Sequence, residues 1–173
     1  MTRLFFALFA YLFLSFSLPV SIMTEEEENM LEELNLARMQ PKEYSAYVLQ
    51  YLRDVQPEKE EKLAGFAIAR LMKSMSPARE LKFDAKMYRS MTNHERKMLS
   101  KDKIVPSRNG YAENIVAGHE SVRHAVISLL IDQGSEDKEN RNNIFNSKFT
   151  KGACKAVNGK IQKADHIYIQ AFR

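Results

Sequence analysis

The chain carries few side chains that commonly act as bases, nucleophiles or metal ligands. Its 173 residues include four histidines and one cysteine. Imidazole transfers protons near neutral pH and binds zinc well. His119 and His124 lie five residues apart, which is not the four-residue spacing that puts two ligands on one helix face, so we expect both at the surface. His94 is expected to pack or to form a local hydrogen bond, and His166 to open a strand.

No common catalytic motif is present. The sequence lacks a Gly-x-Ser-x-Gly nucleophile motif, a phosphate-binding glycine loop and a Cys-x-x-Cys pair. Cys154 lies in an apolar stretch, where a buried, unreactive thiol is expected. Because a single cysteine cannot form an intramolecular disulfide, packing alone must hold the fold together. Nothing local therefore supports an independent enzyme class.

The composition is that of a globular domain with a mildly basic surface. Hydrophobic residues make up 45% of the chain, charged residues 28%, and the formal net charge is +4. Lysine and arginine alternate with glutamate and aspartate along the sequence, which favours a solvated surface of mixed sign over a phosphate-binding stripe. We therefore expect no nucleic-acid partner.

The first residues have the layout of an export signal. Arg3 precedes an uncharged apolar run over residues 4–20, and Ser15, Ser17 and Ser21 offer small side chains for cleavage. The sequence predicts a signal peptide over residues 1–22 and a single domain over residues 23–173. The alternative is an uncleaved signal-anchor, because the run is slightly long for a signal core and slightly short for a bilayer span. We expect a secreted or extracellular protein, and one tethered to a membrane only if this segment is retained.

Helical spacing of apolar residues dominates the chain that follows, and strand patterns appear only at its end. Thr24, ahead of four glutamates, predicts a helix start, and Pro41 predicts a second one. Further helices are expected over residues 58–72, 84–99 and 121–132, with a loop over 100–110 and strands over 152–157 and 166–172. This order predicts an α+β fold with an antiparallel strand pair.

Four segments, in this order, resemble the CAP (SCP-like) superfamily. They are Leu34-Asn35-Leu36-Ala37-Arg38-Met39-Gln40-Pro41-Lys42-Glu43-Tyr44; Leu81-Lys82-Phe83-Asp84-Ala85-Lys86-Met87 with Asn93-His94-Glu95; Ala112-Glu113-Asn114-Ile115-Val116-Ala117-Gly118; and Leu130-Ile131-Asp132-Gln133-Gly134 with residues 140–146 and 149–152. The resemblance covers most of the chain after residue 35 and implies a disulfide-free branch. It implies a three-layer α-β-α sandwich with a small antiparallel sheet that includes the strand at Glu113.

In many members of that family a cleft holds two histidines and two acidic residues around a divalent cation, often zinc. The resemblance gives Glu113 the acidic position and Asp132 a second carboxylate, with Asn114 and His94 as further candidate cleft residues. Asn140 stands where the second histidine is expected, and no histidine occurs over residues 100–103. An amide is a poor zinc ligand and no base near neutral pH. We therefore expect a degenerate site without a catalytic residue or a bound metal.

Three hypotheses follow. The favoured one is a non-enzymatic binding or interaction module whose ligand is a lipid or sterol, a glycan or a protein. The second is a secreted, metal-assisted hydrolase that uses the residual carboxylates, with zinc as its cofactor. The third is an unrelated helical domain, in which Glu113 and Asn140 would lie far apart. The side chains of Glu113 and Asn114 also have a purely structural interpretation, in which they hold backbone N–H groups.

Overall fold

The computed structural model describes residues 22–173, so the predicted export segment lies outside the described residues except for its last position. Within this range the chain forms six α-helices and four β-strands, and the predicted α+β class is confirmed. None of these helices combines the length and the apolar character that a bilayer span requires. The elements are α1 (Glu25–Met39), α2 (Pro41–Asp54), α3 (Lys59–Met72), β1 (Lys82–Phe83), α4 (Ala85–Lys101), β2 (Ala112–Val116), α5 (Val122–Ile131), α6 (Glu139–Phe145), β3 (Lys151–Ala156) and β4 (Tyr168–Phe172).

The helix starts follow from local chemistry. Thr24 and Glu27 form a reciprocal cap of α1, in which the Glu27 N–H donates to Thr24 Oγ1 at 3.3 Å and the Thr24 N–H donates to the Glu27 carboxylate at 2.9 Å. Pro41 occupies the first turn of α2, where its missing N–H has no cost. Both predicted helix starts are confirmed.

The sheet has the strand order β1-β3-β4-β2. β4 pairs antiparallel with both β3 and β2, so the predicted C-terminal strand pair and the strand at Glu113 are confirmed. β1 pairs with β3 in parallel, with Lys82 opposite Lys151, and the sheet is therefore mixed instead of wholly antiparallel. The two residues of β1 are too few to produce a strand pattern in the sequence, which is why the expectation missed them.

Apolar side chains cover both faces of the sheet. Successive residues of a strand point to opposite faces. Accordingly, Cys154 and Tyr168 belong to a hydrophobic cluster with α1, α2, α3 and α5, whereas Ala153 and Ile169 belong to a second cluster with the methionines of α4. Cys154 is 1% exposed and burial raises the pKa of its thiol, which confirms the expected buried cysteine.

Two residues of the first family-like segment connect α1 to segments that are distant in the sequence. Asn35 exchanges two hydrogen bonds with the backbone of Leu81, at 2.8 and 3.0 Å. Arg38 is fully buried, and its guanidinium donates to the carbonyl oxygens of four residues in two other segments. Burial lowers the pKa of Arg38 to about 10. The acceptors are Arg79, Ile144, Asn146 and Phe149.

The region around α6 differs from the expectation. α5 ends at Ile131, and Asp132 caps it in the left-handed conformation at φ 50°. The chain then forms the seven-residue helix α6, which the sequence did not predict. Its polar residues show no helical stripe, and about two turns are too short for one to develop.

Candidate functional site

Two cavities lie side by side where β2, α5 and α6 meet. The first, which we name the Asp132 cavity, has a volume of about 480 Å³ and is lined by Asp132, His119 and Glu61 among others. The second, the Glu113 cavity, has about 430 Å³ and lies against residues 104–108. Ile115 and Asn140 line both cavities. Glu113 and Asn140 therefore face one cavity, and Asp132 and Asn140 face the other.

Asp132 links the end of α5 to the start of α6. It is 4% exposed, and its Oδ1 accepts a hydrogen bond from Asn140 Nδ2 at 2.7 Å while its Oδ2 accepts one from the Arg141 N–H at 3.2 Å. Arg141 in turn donates to the carbonyl oxygens of Leu130 and Ile131, the last residues of α5. Both carboxylate oxygens of Asp132 thus have protein partners.

Asn114 is part of a buried amide network that positions Asn140. Its Nδ2 donates to the Asn140 carbonyl oxygen at 3.1 Å and to Gln170 Oε1 at 3.3 Å, and its Oδ1 accepts from Asn143 Nδ2 at 2.9 Å. Asn114 is 1% exposed, so it contacts no cavity directly. Its role is to hold the α6 backbone against β2 and β4, through a backbone carbonyl and side-chain amides and not through the backbone N–H groups of the structural interpretation.

Glu113 has one oxygen bonded and one without a partner. Its Oε1 accepts a hydrogen bond from the Ser107 N–H at 2.9 Å, which anchors the loop that forms the cavity wall. Its Oε2 is buried and has no hydrogen-bond partner among the described residues. A buried carboxylate oxygen without a donor is energetically costly, so each such atom requires an explanation. Oε1 of Glu113 therefore fits the structural interpretation, because it holds a backbone N–H group. Oε2 remains available for contact with a ligand.

His94 lies outside both cavities. It is 6% exposed, and its Nε2 lies 2.7 Å from the carbonyl oxygen of Val105. Because Val105 lines the Glu113 cavity, this contact positions the cavity wall from behind. The expected local hydrogen bond of His94 is confirmed. His166 does not open the last strand as expected: it is exposed and adopts a left-handed φ of 47°, and β4 begins two residues later at Tyr168.

His119 is the functional side chain that the sequence analysis missed. It was expected at the surface but is half-buried and lines the Asp132 cavity with Glu61. Burial and the nearby His124 lower the pKa of His119, and Glu61 opposes them. His124 is also half-buried, with its ring 5.1 Å from that of Tyr51. Gly118, two residues beyond β2, adopts φ 83° immediately before His119, a conformation that favours glycine.

Tyr51 and Glu61 close the far side of the Asp132 cavity. The Tyr51 hydroxyl donates to Glu61 Oε1 at 3.0 Å. Burial, together with the Glu61 carboxylate, raises the pKa of Tyr51 to about 12. The cavity therefore presents a neutral phenol, a carboxylate and an imidazole whose neutral form is favoured near pH 7.

The donor set does not fit zinc. Within residues 22–173, no group of three histidine, cysteine, aspartate or glutamate side chains converges in a way that would hold a metal ion. Glu113 and Asp132 face different cavities, and the Asn140 amide between them directs its hydrogens toward Asp132. An imidazole in place of Asn140 would offer a lone pair, whereas the amide nitrogen offers none.

A search of protein-family models, of curated proteins and of solved structures finds no match to this chain.

Proposed function

We propose that the chain is an exported CAP (SCP-like) domain that binds a ligand in its cleft without catalysing a reaction. The structural roles of the residues that carry the family resemblance support this proposal. Asn35 and Arg38 fasten α1, Glu113 lies on an edge strand, and Asp132 ends the helix before Asn140. Helices on both faces of the sheet support the three-layer α-β-α arrangement that the resemblance implies.

One observation carries the non-enzymatic part of the proposal. The hydrogen bond from Asn140 Nδ2 to Asp132 Oδ1, at 2.7 Å, joins the two side chains at the centre of the cleft. An amide neither accepts a proton near neutral pH nor coordinates zinc well, and the Asp132 carboxylate already accepts two protein donors. These two side chains are therefore suited to holding the cleft in shape and poorly suited to activating water.

The unpaired oxygen of Glu113 defines the ligand chemistry. A carboxylate oxygen accepts hydrogen bonds, so the buried Oε2 is suited to a ligand group that donates one. A hydroxyl group meets this need, and both sterols and glycans carry one. The Glu113 cavity is lined by apolar side chains of Ile104, Val105 and Ile115 as well as by polar groups. This combination suits a hydroxyl-bearing guest with an apolar face.

His119 favours a second candidate function, a secreted hydrolase-like enzyme. It lines the same cavity as Asp132 and Glu61, and its lowered pKa keeps the imidazole in the form that accepts a proton. On this alternative His119 acts as general base with Asp132 and Glu61 beside it, and no step is assigned to zinc, because the side chains of residues 22–173 offer no matching donor set.

Binding and elemental analysis test the two candidates together. We expect the purified protein to bind hydroxyl-bearing probes, namely cholesterol in detergent or a panel of soluble oligosaccharides, and Glu113→Ala to weaken that binding at least tenfold. The exposed residue Glu136 provides the matched control, and Glu136→Ala should bind normally. Stoichiometric zinc that is lost in Glu113→Ala, or hydrolysis lost in His119→Ala, would favour the enzyme. Binding unaffected by Glu113→Ala would remove the basis of the ligand proposal.

A further inference from the structure

One side of α4 is uniformly cationic. Five basic side chains recur at helical spacing and are all exposed, whereas the opposite side of the helix is buried against the sheet. At 3.6 residues per turn they fall within an arc of roughly 140° and extend over roughly 22 Å of helix. We name this the α4 cationic face, and its residues are Lys86, Arg89, Arg96, Lys97 and Lys101.

Within residues 22–173, no carboxylate neutralises this face. The only acidic residue inside α4 is Glu95, which is 7% exposed and turns inward to Lys155 at 3.6 Å and to the Asn158 N–H at 2.8 Å. At the helix start, Asp84 pairs with Lys151 and Arg173. At the helix end, Asp102 Oδ1 accepts from the Gln162 N–H. None of the five cations takes part in an ion pair within this part of the chain.

Repulsion among these cations destabilises α4 when no anionic partner is bound. Like charges three or four residues apart, such as Lys86 with Arg89 and Lys97 with Lys101, repel each other along a helix. The acidic side chains that would offset them lie elsewhere. Exposed glutamates occur on other elements, three of them on α1, which belongs to the cluster on the other face of the sheet. The α4 cationic face is thus a local exception to the surface of mixed sign that the sequence predicts.

We propose that the α4 cationic face docks the domain onto a bilayer that contains anionic phospholipid. A row of lysines and arginines along a flat helix face complements a layer of phosphate headgroups. Phe83, although 38% exposed, belongs to β1 and packs its ring 5.9 Å from that of Tyr88, on the side of α4 away from the cations, so the proposed docking is electrostatic and involves no inserted ring. The predicted export of the chain favours a membrane over a nucleic acid as the anionic partner, since an exported domain emerges at a membrane surface.

Vesicle binding of the full chain tests this proposal. Wild type should bind vesicles with 30% phosphatidylserine more tightly than pure phosphatidylcholine vesicles, and the difference should vanish in high salt. Arg89→Gln/Arg96→Gln/Lys97→Gln removes three cations that each contribute about fivefold, so binding should weaken on the order of 100-fold. The matched control, Lys62→Gln/Arg70→Gln/Lys73→Gln, removes three exposed cations on and beside α3 and should bind like wild type. Equal losses of vesicle binding in both triple variants would show that only the net charge matters, and would overturn the proposal.

A fluorescent label on α4 tests whether the α4 cationic face itself contacts the membrane. Its signal is local, so it does not depend on the N-terminal segment that all variants share. Asn93 lies in the middle of the α4 cationic face, and buried Cys154 does not compete for a thiol-reactive dye. An environment-sensitive dye on Asn93→Cys should shift to the blue with anionic vesicles, whereas the same dye on Glu32→Cys of α1 should not. An unshifted dye at position 93, or binding to duplex DNA or heparin at concentrations where vesicles do not bind, would refute membrane docking.

Discussion

The side-chain amide of Asn140 donates a hydrogen bond to Oδ1 of Asp132 over 2.7 Å, and this contact joins the start of α6 to the end of α5. The same carboxylate accepts the Arg141 N–H through Oδ2. Asp132 therefore shapes the cleft by fixing where α6 begins. Replacing Asp132 should therefore lower the free energy of unfolding by a measurable amount.

Asp132→Ala is expected to lower the free energy of unfolding by about 2 kcal/mol, since it leaves the Arg141 N–H without its acceptor and places alanine at φ 50°. Asp132→Asn keeps one acceptor oxygen and tolerates the left-handed conformation, so it should cost less. Urea unfolding followed by circular dichroism measures both. Equal stability of Asp132→Ala and wild type would show that the carboxylate does not hold α6.

A buried ion pair between α1 and β3 provides a second test. Glu27 is fully buried, and its Oε1 accepts from Lys155 Nζ at 2.6 Å while its Oε2 accepts from the Tyr88 hydroxyl at 2.9 Å. Removing one member of a buried pair leaves an uncompensated charge, so Lys155→Met should destabilise the fold by about 3–5 kcal/mol. The double variant Glu27→Gln/Lys155→Met should recover much of this loss. A double variant no more stable than Lys155→Met would argue against charge as the cause.

Asp84, the N-cap of α4, predicts a pH dependence. The hydrogen bond from the Met87 N–H lowers the pKa of Asp84 below its ordinary value of 3.8; burial opposes it, and the Lys86 N–H adds to it. Because the pKa is lower in the folded state, the cap stabilises the protein above pH 3.8, and this contribution is lost as the pH falls through the folded pKa. Asp84→Ala should therefore cost about 1 kcal/mol at pH 7 and progressively less at lower pH.

Urea unfolding between pH 7 and pH 3 measures that difference. The matched variant is Asp54→Ala, which changes an exposed carboxylate at the end of α2. Its unfolding free energy should differ from that of wild type by a small amount that changes little with pH. A constant deficit of Asp84→Ala across the whole range would contradict the assignment of a charged cap.

The thiol of Cys154 should be inert in the native protein. It is 1% exposed, and burial raises its pKa, so the thiolate that reacts with disulfide reagents is scarce at neutral pH. We expect no colour from Ellman's reagent at pH 8 until urea exposes the thiol, and one equivalent per chain thereafter. Fast labelling without denaturant would indicate that β3 opens readily.

The sequence was informative where a residue type has one dominant local use. Thr24 before a run of glutamates and Pro41 after Gln40 mark helix starts by chemistry that acts over a few residues, and both were predicted. α6 escaped prediction because its position depends on distant partners. Asn143, within α6, bonds to Asn114 on β2, 29 residues away in the chain, and no local pattern encodes that contact.

The candidate site was predicted in part for the same reason. Glu113 and Asn140 were named from the sequence, and they line one cavity. His119 was not, because its position depends on the turn at Gly118 and on the packing of α5 against β2, neither of which follows from residue spacing. His94 was included among cleft residues but lies behind the cavity wall, since helix α4 directs it toward the Val105 carbonyl.

β2 is an edge strand of the sheet, and α6 lies along it. The amide of Asn143 reaches the Glu113 carbonyl oxygen at 3.5 Å, and the Asn140 carbonyl oxygen accepts the amide of Asn114. An uncovered edge would be a template for pairing with strands of other molecules. By covering this edge, α6 is expected to disfavour self-aggregation. Mutations that loosen α6 should reduce solubility before they alter the sheet.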